Sequence, residues 1–147
     1  MDAFIVDARR SARGKRKNGV FNNVHPMDLA AFMIKRIIER NGIDQSKVED
    51  VILGCVSQVD EQDFNIARAA VLSAGLDISI PGATLTRLCG SAQQAINYAA
   101  MAVASGQQDL LIAGGIESMS RVPLAKGYPP PGEGLKKNWP NLVHQGL

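Results

Sequence analysis

Cysteine is the residue type in this chain with the clearest potential for covalent chemistry, because its thiolate is a strong nucleophile. The sequence contains two, Cys55 and Cys89. Cys89 falls where a predicted strand meets a predicted helix. The first turn of a helix carries unpaired backbone N–H groups and a partial positive charge, which favour the thiolate over the thiol. Cys89 is therefore the candidate nucleophile, and Gly90 beside it leaves room for a substrate to approach the backbone.

Cys55 lies at the end of a predicted buried strand, where a free cysteine usually packs as a small apolar side chain. We therefore expect a structural thiol at this position. Two cysteines and two histidines supply neither a disulfide framework nor a zinc site. Both thiols are expected to be free, and no metal site is expected.

The length and composition fit one globular domain. The chain has 147 residues, 46% of them hydrophobic and 20% charged, and a mean hydropathy of -0.03, which is enough to bury a core. No apolar run is long enough to cross a membrane. A net charge of +2 and 5% aromatic residues do not favour nucleic-acid binding. The first seven residues lack the pattern of a secretory signal, so we expect a cytoplasmic protein.

Periodicity predicts alternating strands and helices along most of the chain. Pro26 suits the first turn of one helix and Gly42 its end, and Asn65 is placed to cap the next helix. A basic stretch over 9–19 is either a solvated loop or an anion site. The small residues of the third helix predict that this helix is buried. The alternation predicts a largely parallel sheet with helices on both faces. In chain order, the predicted elements are a strand at Phe4–Val6, a helix from Pro26 to Asn41, a strand over 48–56, a helix over 65–74, a strand over 82–88, a helix over 90–105 and a strand over 110–115.

The composition changes after Pro123. Glycine and proline are frequent over 126–141, without helical or strand periodicity. We expect an α/β domain over 1–122, followed over 123–147 by an irregular segment that stops within a further domain.

Three motifs, in this order and spacing, closely resemble the N-terminal half of thiolases. They are Asn-Ile-Ala-Arg at 65–68, Arg-Leu-Cys-Gly-Ser at 87–91 and Gly-Gly-Ile-Glu-Ser-Met-Ser at 114–120. The stretch over 61–68 resembles the degradative 3-ketoacyl-CoA thiolases more than the biosynthetic type.

The resemblance implies a fold, a reaction and partners. The fold is one α/β half of a layered thiolase, with a mostly parallel mixed sheet, and 123–147 is the start of a CoA-binding loop domain. The implied activity is that of an acetyl-CoA acyltransferase, with Cys89 accepting the acyl group during thiolytic cleavage of 3-ketoacyl-CoA or the reverse Claisen condensation. Coenzyme A is then a substrate, no cofactor is permanently bound, and the N-terminal half pairs in a homo-oligomer.

Other catalytic motifs of thiolases do not occur in these 147 residues. The family's Gly-His-Pro histidine, Asn-Glu asparagine and Cys-x-Gly cysteine belong to its C-terminal half, and neither His25 nor His144 is assigned a catalytic role. Substrate-binding residues are unassigned, and Glu117 is either a general base or a group that holds backbone or a neighbouring subunit. Two alternatives to the enzyme stay open. One is a non-catalytic, thiolase-like fragment for assembly, and the other is a redox-sensing thiol at Cys89.

Overall fold

The computed structural model describes residues 2–124 and 132–139. Helices and strands alternate as predicted over 26–115. In chain order the elements are α1 (Pro26–Asn41), β1 (Asp50–Gly54), α2 (Ile66–Ser73), β2 (Gly82–Leu85), α3 (Ser91–Ala104), β3 (Leu111–Gly115) and α4 (Glu133–Asn138), with short 3-10 turns at Gln45–Lys47 and Asp60–Gln62.

The three strands form one sheet in the order β2-β1-β3. Both pairings are parallel, with Val51 opposite Gly82 on one side and opposite Ile112 on the other. The α2 and α3 crossovers make these parallel pairings possible, since parallel neighbours need a long connection. The α/β fold class is confirmed.

The two faces of the sheet carry different helices. Val51, Leu53 and Ile112 point towards α1 and α2 and form the main core with their apolar residues. The alternate positions Gly54 and Gly115 lie against the first turn of α3 on the opposite face. Helices therefore cover both faces, as predicted.

Local signals set the ends of α1. Pro26 occupies its first turn, and the Nδ1 atom of His25 accepts a hydrogen bond from the Met27 N–H at 3.2 Å. At the other end Gly42 adopts a left-handed conformation, φ 60°, that costs glycine little. The sequence interpretation of both ends is confirmed.

Three expectations about the elements are wrong. Residues Phe4–Val6 are in no strand, and their side chains are 77–81% exposed, because a β-forming run needs a neighbour to complete its ladder and none pairs with it among the described residues. Helix α3 is buried only along the side that meets the sheet, so Tyr98 and Met101 are exposed. Finally, α4 forms within the segment predicted to be irregular, where Lys136 pairs with Glu133 at 2.8 Å.

None of the helices in the described ranges is both long enough and apolar enough to cross a membrane.

Candidate active site

Cys89 lies in a short turn between β2 and α3. Strand β2 ends at Leu85, three residues earlier than predicted, and α3 begins at Ser91 with Gly90 as its N-cap. Cys89 is exposed and directly precedes that cap. The predicted position at a strand-to-helix junction is confirmed, with the thiol just ahead of the helix.

Ser91 holds this turn together. Its Oγ accepts a hydrogen bond from the Arg87 N–H at 2.8 Å and donates one to the Leu88 carbonyl at 2.6 Å. The Gly90 N–H also donates to the Arg87 carbonyl at 3.1 Å. These bonds keep Leu88 in the left-handed region at φ 48°, a conformation that costs a non-glycine residue free energy. These hydrogen bonds join the residues before Cys89 to the residues after it, so the backbone around Cys89 is held in place.

The Arg87 side chain extends along α3. Its Nη1 atom donates to the Oε1 atom of Gln94, one turn into the helix, and Gln94 is buried. This bond anchors the turn to the helix that follows it.

Two glycines form the support on which α3 begins. Gly54 and Gly115 are paired neighbours at the carboxyl ends of β1 and β3. A Cβ on Gly54 would lie 2.3 Å from the Ser91 carbonyl carbon, and one on Gly115 would lie 2.7 Å from the Ala92 Cβ. Only glycine permits this approach. The two glycines therefore set how closely the first turn of α3 packs against the sheet.

Glu117 connects the ends of these same strands. Its Oε2 accepts a hydrogen bond from the Val56 N–H at 2.7 Å, and its Oε1 accepts bonds from the Ser57 N–H at 3.3 Å and the Gln62 Nε2 at 3.0 Å. Gln62 is fully buried and accepts a bond from the Ser118 N–H at 2.6 Å. Of the two sequence interpretations of Glu117, the structure shows the one in which it holds backbone.

Comparison with known proteins identifies the family of this fold. The family described as "Thiolase, N-terminal domain" matches residues 3–134. The chain belongs to the thiolase family. The resemblance inferred from the three motifs is confirmed.

Several curated thiolases are close in sequence to this chain. A "3-ketoacyl-CoA thiolase" of Marinomonas sp. (strain MWYL1) is 49% identical over 127 residues, which are 86% of this chain and 32% of that protein. The "Steroid 3-ketoacyl-CoA thiolase FadA6" of Mycobacterium tuberculosis is 44% identical over 124 residues, 84% of this chain and 30% of that protein. A "3-ketoacyl-CoA thiolase" of Acinetobacter baumannii is 48% identical over 126 residues, which are 86% of this chain and 32% of that protein. The chain thus spans about a third of the length of these relatives.

The second cysteine of this thiolase chain is enclosed. Cys55 is 1% exposed. Burial, together with the negative charge of Glu117, raises the pKa of its thiol to about 12. The thiol therefore stays protonated at neutral pH, as a structural cysteine would.

The Asn-Ile-Ala-Arg motif of the thiolase chain organises the start of α2. The Asn65 Oδ1 accepts bonds from the Arg68 N–H at 3.3 Å and the Thr84 Oγ1 at 2.8 Å, and its Nδ2 donates to the Gly82 carbonyl at 2.6 Å. The predicted cap is confirmed. The Arg68 guanidinium donates hydrogen bonds to the carbonyls of Ile78 and Ile80.

The basic stretch near the N-terminus of this thiolase lines a cavity of about 360 Å³. Backbone and side chains of 115–120, including Glu117, form the opposite wall. None of the four basic side chains forms an ion pair within the described part of the chain, so the cavity has an excess of positive charge, and both sequence interpretations of this stretch stay open. The four are Arg10, Arg13, Lys15 and Arg16.

Sequence reasoning missed three polar side chains that shape this thiolase site: Gln62, Ser91 and Gln94. Each is buried and each binds a residue of the Cys89 or Glu117 loops. Ser91 had a sequence signal, because it follows the cysteine in the recognised motif. The two glutamines had none, since a glutamine in an ordinary polar stretch does not reveal what it contacts.

Proposed function

We propose that this chain is the nucleophile-bearing part of a 3-ketoacyl-CoA thiolase and that Cys89 is its acyl acceptor. One observation carries the assignment: the exposed thiol of Cys89 stands at the start of α3 on a turn fixed by Ser91. The names of the relatives support the substrate class. Their roughly threefold greater length means that the reaction is assigned to the complete protein.

In the degradative direction the Cys89 thiolate attacks the 3-keto carbon of a 3-ketoacyl-CoA. The bond between C2 and C3 then breaks, the shortened acyl group stays on sulfur, and acetyl-CoA leaves as an enolate that takes up a proton. The thiol of a second CoA attacks the acyl-cysteine thioester, releases the shortened acyl-CoA and restores the thiolate. The reverse sequence is a Claisen condensation.

Backbone and side chains of this chain would share the work with the rest of the protein. The N–H of Cys89, ahead of the positive end of α3, is suited to donate to the oxyanion of the tetrahedral intermediate. As the family resemblance implies, a histidine, an asparagine and a second cysteine from the C-terminal part supply the base, the oxyanion-bound water and the proton shuttle.

Domain boundaries and partners follow from the same proposal. Residues 1–122 form the α/β domain, and 123–147 begin the CoA-binding loop domain. Coenzyme A is a substrate and no cofactor is permanently bound. The N-terminal half pairs in a homo-oligomer of a cytoplasmic enzyme, and exposed apolar side chains such as Met101 on α3 fit a chain that is covered by further protein.

The redox alternative finds less support than the enzyme. A sulfenic acid at Cys89 needs a thiol nearby to resolve it. The other cysteine, Cys55, is 1% exposed and has a pKa raised to about 12. It is not available as a resolving thiolate in the folded protein.

A chimera tests the proposal. Residues 1–124 replace the matching segment of the Marinomonas thiolase, and thiolysis of acetoacetyl-CoA is followed. We expect activity in the chimera, its complete loss in Cys89→Ala and its retention in the control Cys55→Ala. Thiolysis that survives Cys89→Ala, or a folded chimera with no thiolysis, overturns the proposal.

A further inference from the structure

Two carboxylates join β1 to β3, one at each end of the pair. At the amino end Glu49 accepts hydrogen bonds from the backbone N–H groups of Asp109 and, at 3.2 Å, of Leu110. At the carboxyl end Glu117 accepts bonds from Val56 and Ser57. Both use a charged acceptor and consecutive backbone donors, an arrangement stronger than a neutral hydrogen bond.

The Glu117 contact lies at the end of the sheet that carries Cys89. Glu117 and Val56 each stand two residues beyond the glycines on which α3 begins, Gly115 and Gly54. The Ile116 N–H also donates to the Gly54 carbonyl at 3.0 Å. The Glu117 carboxylate thus holds together the two strand ends that support Ser91.

Ser91 connects these strand ends to the segment that carries the nucleophile. Its backbone rests on Gly54, while its hydroxyl bonds Arg87 and Leu88 on the segment that leads to Cys89. A shift of either strand end therefore moves the residue that fixes the Cys89 turn. Displacements of about 1 Å can cost an enzyme roughly 100-fold in rate.

We infer that Glu117 is a positioning residue for Cys89: its carboxylate fixes the spacing of the β1 and β3 ends and, through Ser91, the placement of the thiol. This role rests on the proposed function of Cys89 as the nucleophile. Glu117 itself is not assigned contact with substrate.

Glu49 provides the control, because Glu49→Gln weakens the same kind of contact at the end of the sheet remote from Cys89. All variants are made in the Cys55→Ala background, so that one thiol remains. The rate of Cys89 alkylation by iodoacetamide is measured on the folded 147-residue chain at pH 7.5. We expect Glu117→Gln to slow this alkylation about tenfold and Glu49→Gln to change its rate less than twofold.

A matched comparison separates positioning from general destabilisation. Urea unfolding gives the stability of each variant, and rates are compared at equal free energy of unfolding. Equal rates for Glu117→Gln and Glu49→Gln overturn the inference.

A second variant covers the case in which Glu117→Gln does not fold. Glu117→Asp keeps the charge but shortens the side chain, and we expect a slowing smaller than tenfold in the same direction. An alkylation rate equal to that of the parent chain contradicts the inference. The alkylation rate is independent of thiolysis, so failure of positioning and failure of the proposed reaction, read from Cys89→Ala in the chimera, give different results.

Discussion

Gly54 lies directly against the backbone of Ser91. A Cβ placed on Gly54 would meet the Ser91 carbonyl carbon at 2.3 Å and the Ala92 nitrogen at 2.4 Å, closer than any real non-bonded contact. The end of β1 and the start of α3 are therefore packed backbone against backbone. This contact determines how near the Cys89 turn comes to the sheet.

Replacing Gly54 with alanine is expected to destabilise the chain by about 3 kcal/mol or more, since the added methyl group meets backbone that cannot rotate away. Gly114→Ala is the control, because its Cβ would lie 3.9 Å from the Leu53 Cδ2, an ordinary contact. Urea unfolding followed by circular dichroism measures both. Similar stabilities for the two variants would show that α3 does not rest on Gly54.

Local sequence signals predicted both ends of α1 and the start of α2 well. Pro26, Gly42 and Asn65 each act on a backbone group within a few residues, so their roles can be determined from nearby sequence. The predictions of a strand at Phe4–Val6 and of a fully buried α3 were wrong, because they depend on distant rather than nearby residues. Whether an apolar run pairs or is covered depends on residues far away in the chain.

The candidate site shows the same division. Its nucleophile was found because the motif around Cys89 is contiguous in sequence. The contacts of Glu117 could not be predicted, because Val56 and Gln62 lie 61 and 55 positions away from it in the chain. Hydrogen bonds across such separations follow from the sheet register, which a single sequence does not reveal.

Asn65 is expected to contribute through both its backbone and its side chain. It occupies the left-handed region at φ 62° and its amide bonds Arg68, Thr84 and Gly82. We expect Asn65→Ala to cost about 2 kcal/mol or more, because it loses the cap and strains the backbone. Asn65→Gly keeps the backbone relaxed and is expected to cost less. The order of the urea unfolding midpoints of the two variants checks this. If Asn65→Ala and Asn65→Gly unfold at the same urea concentration, the backbone conformation of residue 65 has no role in stability.

Cys55 should make the chain more sensitive to alkali. Its folded pKa, about 12, is raised above the ordinary value of 9.0, so folding favours the protonated thiol. That contribution is complete below pH 9 and is lost as the pH rises towards 12. Cys55→Ala leaves a small cavity and is expected to be less stable at pH 8. The difference in melting temperature between the parent chain and Cys55→Ala should narrow from pH 8 to pH 11. A constant difference would argue against a buried, protonated thiol.

Glu61 and Arg121 should make the chain sensitive to acid. Two hydrogen bonds, of 2.5 and 2.6 Å, join the carboxylate to the guanidinium, and Arg121 also donates to the Asn22 carbonyl at 2.8 Å. The bonds from Arg121, with a smaller effect of its charge and that of His25, lower the pKa of Glu61 below its ordinary value of 4.5. A lowered pKa gives stability that is present above pH 4.5 and is lost as the pH falls through the folded value.

Glu61→Gln is therefore expected to melt at a lower temperature than the parent chain at pH 7. The difference should shrink steadily below pH 4.5, because the parent carboxylate is then protonated as well. Glu39→Gln is the control, since Glu39 pairs with Arg36 on the exposed surface of α1 at 3.2 Å, where such pairs contribute little. Thermal melts at pH 7, 5, 4 and 3 measure both variants. A Glu61→Gln difference that stays constant down to pH 3 would mean that the ion pair between 61 and 121 does not stabilise the fold through its charge.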